Sequence, residues 1–137
     1  MKIKKIIIGI LVLGIIGAFI VYKTYNKPHV NVEEASADIS ITADKILNDF
    51  SSDENSANLK YLDKIIQVNG VISEINIEKG IITIETNDDF GNVICHLSEE
   101  ASRKISGLQE GQIIVVKGIC TGFLMDVILV KCEFINQ

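Results

Sequence analysis

The stretch GQIIVVKGICTGFLMDVILVKCEF, residues 111–134, contains two runs of β-branched and other apolar residues. The runs cover residues 112–117 and 126–134, and two glycines and Cys120 lie between them. Apolar runs that are separated by glycines predict two β-strands joined by a turn region. We therefore expect a hairpin that closes a small β-barrel, with the other strands supplied by the residues before it.

Three further strands are predicted upstream of this hairpin, over residues 65–77, 81–86 and 92–97. The first contains Gly70, which suits a long strand that bends or bulges. A helix over residues 99–105 follows the third strand, with Ser98 as its N-cap. The order β-β-β-α-β-β is that of an OB-fold. The sequence thus predicts a mainly β protein with a five-stranded OB-fold barrel over residues 64–137 and a helix between strands 3 and 4.

The N-terminus predicts a membrane anchor. Residues 6–22, IIIGILVLGIIGAFIVY, carry no charge and as a helix measure about 25 Å, the short end of what spans a bilayer. Three lysines precede this transmembrane stretch and two follow it, namely Lys2, Lys4, Lys5, Lys23 and Lys27. The positive-inside rule therefore leaves residues 1–5 as a cytoplasmic tail and the barrel outside the plasma membrane. A cleavable signal peptide is the alternative, but the A-x-A at residues 35–37 lies too far downstream. We predict an uncleaved, single-pass signal-anchor.

Two segments connect the anchor to the barrel. Residues 23–40 contain the single proline and lack helical periodicity, which predicts a solvated linker. Residues 41–63 predict short helices that dock on the barrel, because Thr42 can cap a helix and Ile46 and Phe50 fall on one face.

The charge of the exported part disfavours nucleic acid as a ligand. All 18 acidic residues but only 8 of the 13 basic residues follow residue 27, a net charge of −10. Such a domain repels a phosphate backbone unless it contains a local basic groove. Aromatic residues, on which bases would stack, make up only 6% of the chain, and tryptophan is absent.

Several short motifs resemble those of a known bacterial family. SANLKYLDK (56–64) leads into IQVNGVI (66–72), LQEGQ (108–112) leads into VKGICTG (116–122), and DVIL (126–129) leads to Cys132. These residues resemble the tRNA_anti-like OB-fold family, small exported or membrane-attached proteins of unassigned role. The resemblance covers about residues 41–136. It implies a binding or assembly module.

Three cysteines, Cys95, Cys120 and Cys132, lie in the predicted barrel. We expect all three to point inward, Cys95 with Val93 and Leu97, and Cys132 with Ile128, Val130 and Phe134. Outside the cytoplasm such thiols can form a disulfide. The resemblance implies the pair Cys120–Cys132. Three buried free thiols are the alternative.

The sequence predicts no metal site, no cofactor and no enzyme activity. Cys95, His96, Cys120 and Cys132 are suitable zinc ligands by type, but adjacent strand residues 95 and 96 project to opposite faces. Residues 87–92, NDDFGN, lack the spacing of a calcium loop and predict a turn. Motifs for a nucleophile or a phosphate-binding loop are absent.

Four apolar residues are candidates for a contact surface, namely Phe90, Phe123, Leu124 and Met125. The last three are consecutive in a predicted connection, where they either cover the end of the barrel or contact a partner. We predict a surface that binds a protein of the cell envelope, a peptide or a small molecule. A membrane-tethered protein that binds single-stranded nucleic acid is the alternative.

Overall fold

The computed structural model describes residues 1–25 and 31–135. The chain divides into two units, Met1–Val30 and Asn31–Gln137. The first unit contains a single described helix, α1 (Lys2–Tyr25), whose mean hydropathy reaches 2.5 and none of whose side chains is buried. By length and composition this helix can cross a membrane.

Residues 31–135, the described part of the second unit, form six strands and three α-helices. In chain order these are β1 (Ile39–Thr42), α2 (Ala43–Ser52), α3 (Glu54–Tyr61), β2 (Ile65–Asn76), β3 (Ile81–Ile84), β4 (Val93–Leu97), α4 (Glu99–Ser102), β5 (Ile113–Leu124) and β6 (Asp126–Phe134). A 3-10 turn, Ile105–Gly107, follows α4.

Five of the strands close into a barrel. Strand β2 pairs with β5 along its first half and with β3 along its second half. Strand β3 pairs with β4, β4 runs parallel to β6, and β6 pairs with β5. The ring is therefore complete, and α4 lies between its third and fourth strands. The predicted OB-fold is confirmed.

The sixth strand, β1, differs from the sequence-based expectation. Residues 39–42 are predicted as the end of a linker and the start of a helix, whereas the structure pairs them in parallel with residues 66–69 of β2. The side chain of Asp38 strengthens this pairing, because its carboxylate accepts a hydrogen bond from the backbone N–H of Ile65 at 2.9 Å. The helix then begins one residue after Thr42, whose hydroxyl accepts the N–H of Lys45 at 3.2 Å.

Helices α2 and α3 pack on the barrel through their apolar faces. Ile46, Leu47 and Phe50 of α2 and Ala57 and Tyr61 of α3 are at most 2% exposed, as the helical pattern predicts. Burying a side chain the size of Ile46 or Phe50 stabilises a fold by about 1.5–3 kcal/mol. The two helices therefore form part of the hydrophobic core of the second unit.

A bulge in β6 changes which residues of that strand face the core. Val127, Leu129 and Cys132 are fully buried, whereas Ile128 and Val130 are only half-buried. Lys131 adopts a left-handed backbone with φ of 52°, and the pairing of β6 with both neighbours shifts by one residue at this point. The extra residue keeps Lys131 outside and turns Cys132 inward. The prediction that Ile128 and Val130 share the inward face of Cys132 is therefore wrong.

Candidate functional site

The four predicted contact residues separate into two groups. Phe90, Leu124 and Met125 are 85%, 84% and 75% exposed. Phe123 is half-buried and packs against the core, with its ring stacked on Phe50 at 5.6 Å between centroids. We call Phe90, Leu124 and Met125 the apolar tip. Phe123 lies beneath it.

The β3–β4 connection carries Phe90, and the end of β5 with the turn after it carries Leu124 and Met125. The prediction that residues 118–125 form a turn region is therefore wrong, because β5 continues to Leu124. Met125 forms the tight turn between β5 and β6 with φ of 65°, a conformation that side chains rarely adopt. Gly91, next to Phe90, lies so close to this turn that a Cβ atom there would collide with the carbonyl oxygen of Met125. Asn92 connects the same two segments through its N–H, which donates to the Asp126 carboxylate at 2.8 Å. The two segments that carry the apolar tip are therefore in direct contact through Gly91, Asn92, Met125 and Asp126.

Hydrogen bonds brace the connection that carries Phe90. The backbone N–H of Asn87 donates to the Asp44 carboxylate at 2.6 Å, and the Asn87 side-chain amide donates to its other oxygen at 3.1 Å. The N–H of Phe90 donates to Asp88 at 3.0 Å, and the Thr86 hydroxyl donates to the carbonyl of Gly91 at 2.5 Å. The Phe90 ring is thus exposed on a connection whose backbone is held in place.

Asp44 is a residue of this site that sequence patterns do not reveal. It lies in the first turn of α2, more than 40 residues before the loop that it holds. In the sequence it is simply an acid at a helix start, where acids are common because they interact favourably with the helix dipole. Only the packing of α2 beside the β3–β4 connection brings it to Asn87.

Residues of the apolar tip help to line two shallow hollows. The first, about 380 Å³, is lined by Asp44, Asn48, Asn87, Asp88, Asp89 and Phe90. The second, about 330 Å³, is lined by Phe123 and Leu124 and by residues that include Glu54 and Leu62. Among the described residues that line the two hollows there are four acids and no lysine or arginine. The apolar tip therefore lies in negatively charged surroundings.

Several basic side chains of the domain are engaged with other groups of the chain. Lys45 and Lys60 both pair with Asp49. A hydrogen bond from Lys45 and a second one from the Tyr61 hydroxyl hold the pKa of Asp49 below its ordinary value. Lys117 donates to the backbone carbonyls of Glu33 and Ala35 at 2.7 and 2.8 Å. Because these three lysines already pair with groups of the chain, they are less available to bind the phosphate of a ligand.

The three cysteines are fully buried and are free thiols in the structure. Burial raises the pKa of Cys132 well above its ordinary value, and the neighbouring Cys95 thiol raises it further. Burial also raises the pKa of Cys120, although the backbone N–H of Gly122 opposes this shift. His96, by contrast, is exposed, so that it projects away from Cys95 as the strand alternation predicts. Among the described residues no group of three or more His, Cys, Asp or Glu is arranged to hold a metal ion.

Comparison with known protein families agrees with the OB-fold of the structure. The sequence model of the tRNA_anti-like family matches residues 1–134, a range that includes α1. The chain therefore belongs to the tRNA_anti-like family of OB-fold proteins.

Among solved structures, the domain is similar to a lipoprotein from Klebsiella pneumoniae subsp. pneumoniae MGH 78578 to which nucleic-acid binding is ascribed. The TM-score is 0.57 at 18% identity, over 71% of this chain and 92% of that chain. At this identity the similarity shows the fold alone. Among curated protein sequences no significant relative is found.

Proposed function

We propose that the chain is a membrane-anchored binding module, without chemistry of its own, that holds a protein or peptide partner outside the plasma membrane. Residues 6–22 are the transmembrane part of α1, residues 1–5 stay in the cytoplasm and the barrel lies outside. The mean hydropathy of 2.5 within α1 and the three lysines before the apolar stretch support this arrangement.

The observation that carries the proposal is the exposure of the apolar tip on a braced surface. Side chains the size of Phe90 and Leu124 stabilise a fold by about 1.5–3 kcal/mol each when they are buried. Here the chain leaves them in water although hydrogen bonds and a close Gly91–Met125 contact hold their backbone in place. Exposed apolar side chains on two segments that contact each other are typical of an interaction site.

The charges around the apolar tip indicate the chemistry of the partner. Asp44, Asp88 and Asp89 line the hollow beside Phe90, and a lysine or arginine side chain in this hollow would pair with a carboxylate and lie against the ring. A second copy of the acidic domain would be repelled. We therefore assign to the site a protein segment that carries both basic and apolar residues.

A peptide-binding measurement tests the assignment. The full chain in detergent is titrated with a fluorescent peptide of alternating lysine and leucine, and with its counterpart in which glutamate replaces lysine. We expect the lysine peptide to bind and the glutamate peptide to bind at least tenfold more weakly. The double variant Phe90→Ser, Leu124→Ser should lose about tenfold in affinity for the lysine peptide.

Ile77→Ser provides the matched control, because Ile77 is also exposed, at 62%, but lies in the turn at the other end of β3. This control should bind the peptide as the unmodified chain does, and thermal melts should show that both variants are folded. Equal binding by the tip variant and the control would refute the surface.

A second assay addresses the native partner. A photo-crosslinking amino acid at Leu124 should capture, in membranes, a segment with basic and apolar residues that the same amino acid at Ile77 does not capture. Equal capture at both positions would count against the proposal.

Nucleic-acid binding is the alternative function, and the description of the Klebsiella lipoprotein is the observation that favours it. The acidic surroundings of the apolar tip oppose it. A gel-shift assay with single-stranded DNA at low salt distinguishes the two functions. A shift at micromolar protein would support the alternative.

A further inference from the structure

Cys95 and Cys132 both point into the barrel from the neighbouring parallel strands β4 and β6. Cys95 pairs with Leu129, the last inward residue of β6 before the bulge. Cys132, the first inward residue after the bulge, pairs with Leu97, so that the two cysteines are diagonal neighbours across the two strands. Because Lys131 takes up the extra residue on the outside, Cys132 follows Leu129 on the same face. The Cys95 thiol is near enough to the Cys132 thiol to raise its pKa.

Gly118, rather than Cys120, faces the Cys132 thiol from β5. A Cβ atom on Gly118 would lie 2.5 Å from the sulfur of Cys132, so that the sulfur occupies the space above this glycine. Cys120 is two residues further along β5, where it pairs with Leu129. Its thiol lies beside the backbone N–H of Gly122.

We propose that Cys95 and Cys132 form a disulfide that joins β4 to β6 inside the barrel, while Cys120 remains a thiol. Two thiols lose two protons and two electrons as the S–S bond forms, and the disulfide of an oxidant takes up both as its own S–S bond breaks to give two thiols. Such oxidants act outside the cytoplasm, where the domain lies according to the proposed topology.

Burial determines when the bond can form and how it behaves. Exchange with an oxidant requires a thiolate that the oxidant can reach. Both thiols are fully buried in the closed barrel, so that the bond forms while the barrel is still open. Once formed, it is shielded, and dithiothreitol should reduce it only when denaturant is present.

Trypsin separates the three cysteines, which makes the pairing directly measurable. Cleavage at lysine and arginine places Cys95 in the peptide 80–103, Cys120 in 118–131 and Cys132 in 132–137. The full chain is expressed in bacterial membranes, quenched with acid, alkylated under denaturing conditions and digested without reduction. We expect 80–103 to be linked to 132–137 and 118–131 to carry the alkyl group. A link between 118–131 and 132–137, or alkylation of all three peptides, would overturn the inference.

Refolding in vitro tests the cysteine pairing independently of the cellular compartment in which the domain lies. The reduced, denatured full chain is refolded in detergent with a glutathione redox buffer and mapped in the same way. Cys120→Ser should leave the 80–103 to 132–137 link intact, whereas Cys95→Ser should leave Cys132 alkylated. If refolding links Cys120 to Cys132 instead, the inference fails regardless of where the domain lies in the cell.

Discussion

Replacing Phe123 and Leu124 one at a time by alanine should show that the first residue stabilises the fold and the second binds the partner. The two residues are adjacent and equally apolar, but the Phe123 ring is half-buried and stacked on the fully buried Phe50, whereas Leu124 is 84% exposed. Truncating a fully buried Phe costs about 3–5 kcal/mol. For a half-buried ring we expect about 2 kcal/mol, of which the stacked pair contributes about 1 kcal/mol.

Leu124→Ala should change the free energy of unfolding by less than about 0.5 kcal/mol, because the side chain buries little surface. For a domain of this size each kcal/mol shifts the melting temperature by about 5 °C. We therefore expect Phe123→Ala to lower it by about 10 °C and Leu124→Ala by less than about 3 °C.

The assay is thermal unfolding of the fragment that begins at Asn31, a compact unit with its own core, followed by circular dichroism. The same variants are made in the full chain for the peptide titration, in which the order should reverse, so that Leu124→Ala weakens binding more than Phe123→Ala does at a temperature where both are folded. Equal melting temperatures, or a greater loss of stability from Leu124→Ala, would refute the reasoning that assigns the two neighbours to different roles.

Three further changes test other parts of the structure. Gly118→Ala places a Cβ atom 2.5 Å from the Cys132 sulfur, and we expect a loss of about 1–3 kcal/mol in urea unfolding; an unchanged midpoint would show that Cys132 lies elsewhere. Ser98→Ala removes the hydroxyl that caps α4 by accepting the N–H of Ala101 at 3.0 Å, and the loss should be about 1 kcal/mol, whereas Ser106→Ala, at an exposed position, should have little effect. Because the folded-state pKa of Asp49 lies below its ordinary value of 3.8, its ionised form stabilises the fold above that value, and this contribution is lost as the pH falls through the folded-state pKa. Asp49→Asn should thus be less stable than the unmodified domain at pH 7, and the difference should shrink at pH 3; a difference that does not depend on pH would contradict the assignment.

The sequence predicts the barrel well because its signals are local. Alternating or continuous apolar runs mark each of the five barrel strands, and Ser98 marks the start of α4. Strand β1 escapes prediction because residues 39–42 are short and form a strand only by pairing with residues 66–69. A four-residue segment of this kind takes its conformation from a distant partner and not from its own composition.

The inward face of β6 shows a second limit of pattern reasoning. Strict alternation from Phe134 backwards assigns Cys132, Val130 and Ile128 to one face, and a single extra residue breaks that assignment. Lysine gives no warning of a bulge, since it rarely adopts positive φ. The bulge at Lys131 becomes visible only in the pairing of β6 with its two neighbours, β4 and β5, because both registers shift by one residue there.

The same reasoning explains why the candidate site is only partly visible in the sequence. Of the run Phe123, Leu124 and Met125, which the sequence predicts as a connection, only Met125 lies in a turn. The run also cannot tell which side chain is structural, because that depends on Phe50 of α2. The acidic hollow depends on α2 as well, since Asp44 from this helix binds the backbone of the β3–β4 connection. Helix α2 therefore supplies both the support beneath the apolar tip and part of the charge beside it. A change that displaced α2 would disturb the binding of a basic, apolar segment even though α2 contributes none of the three side chains of the tip.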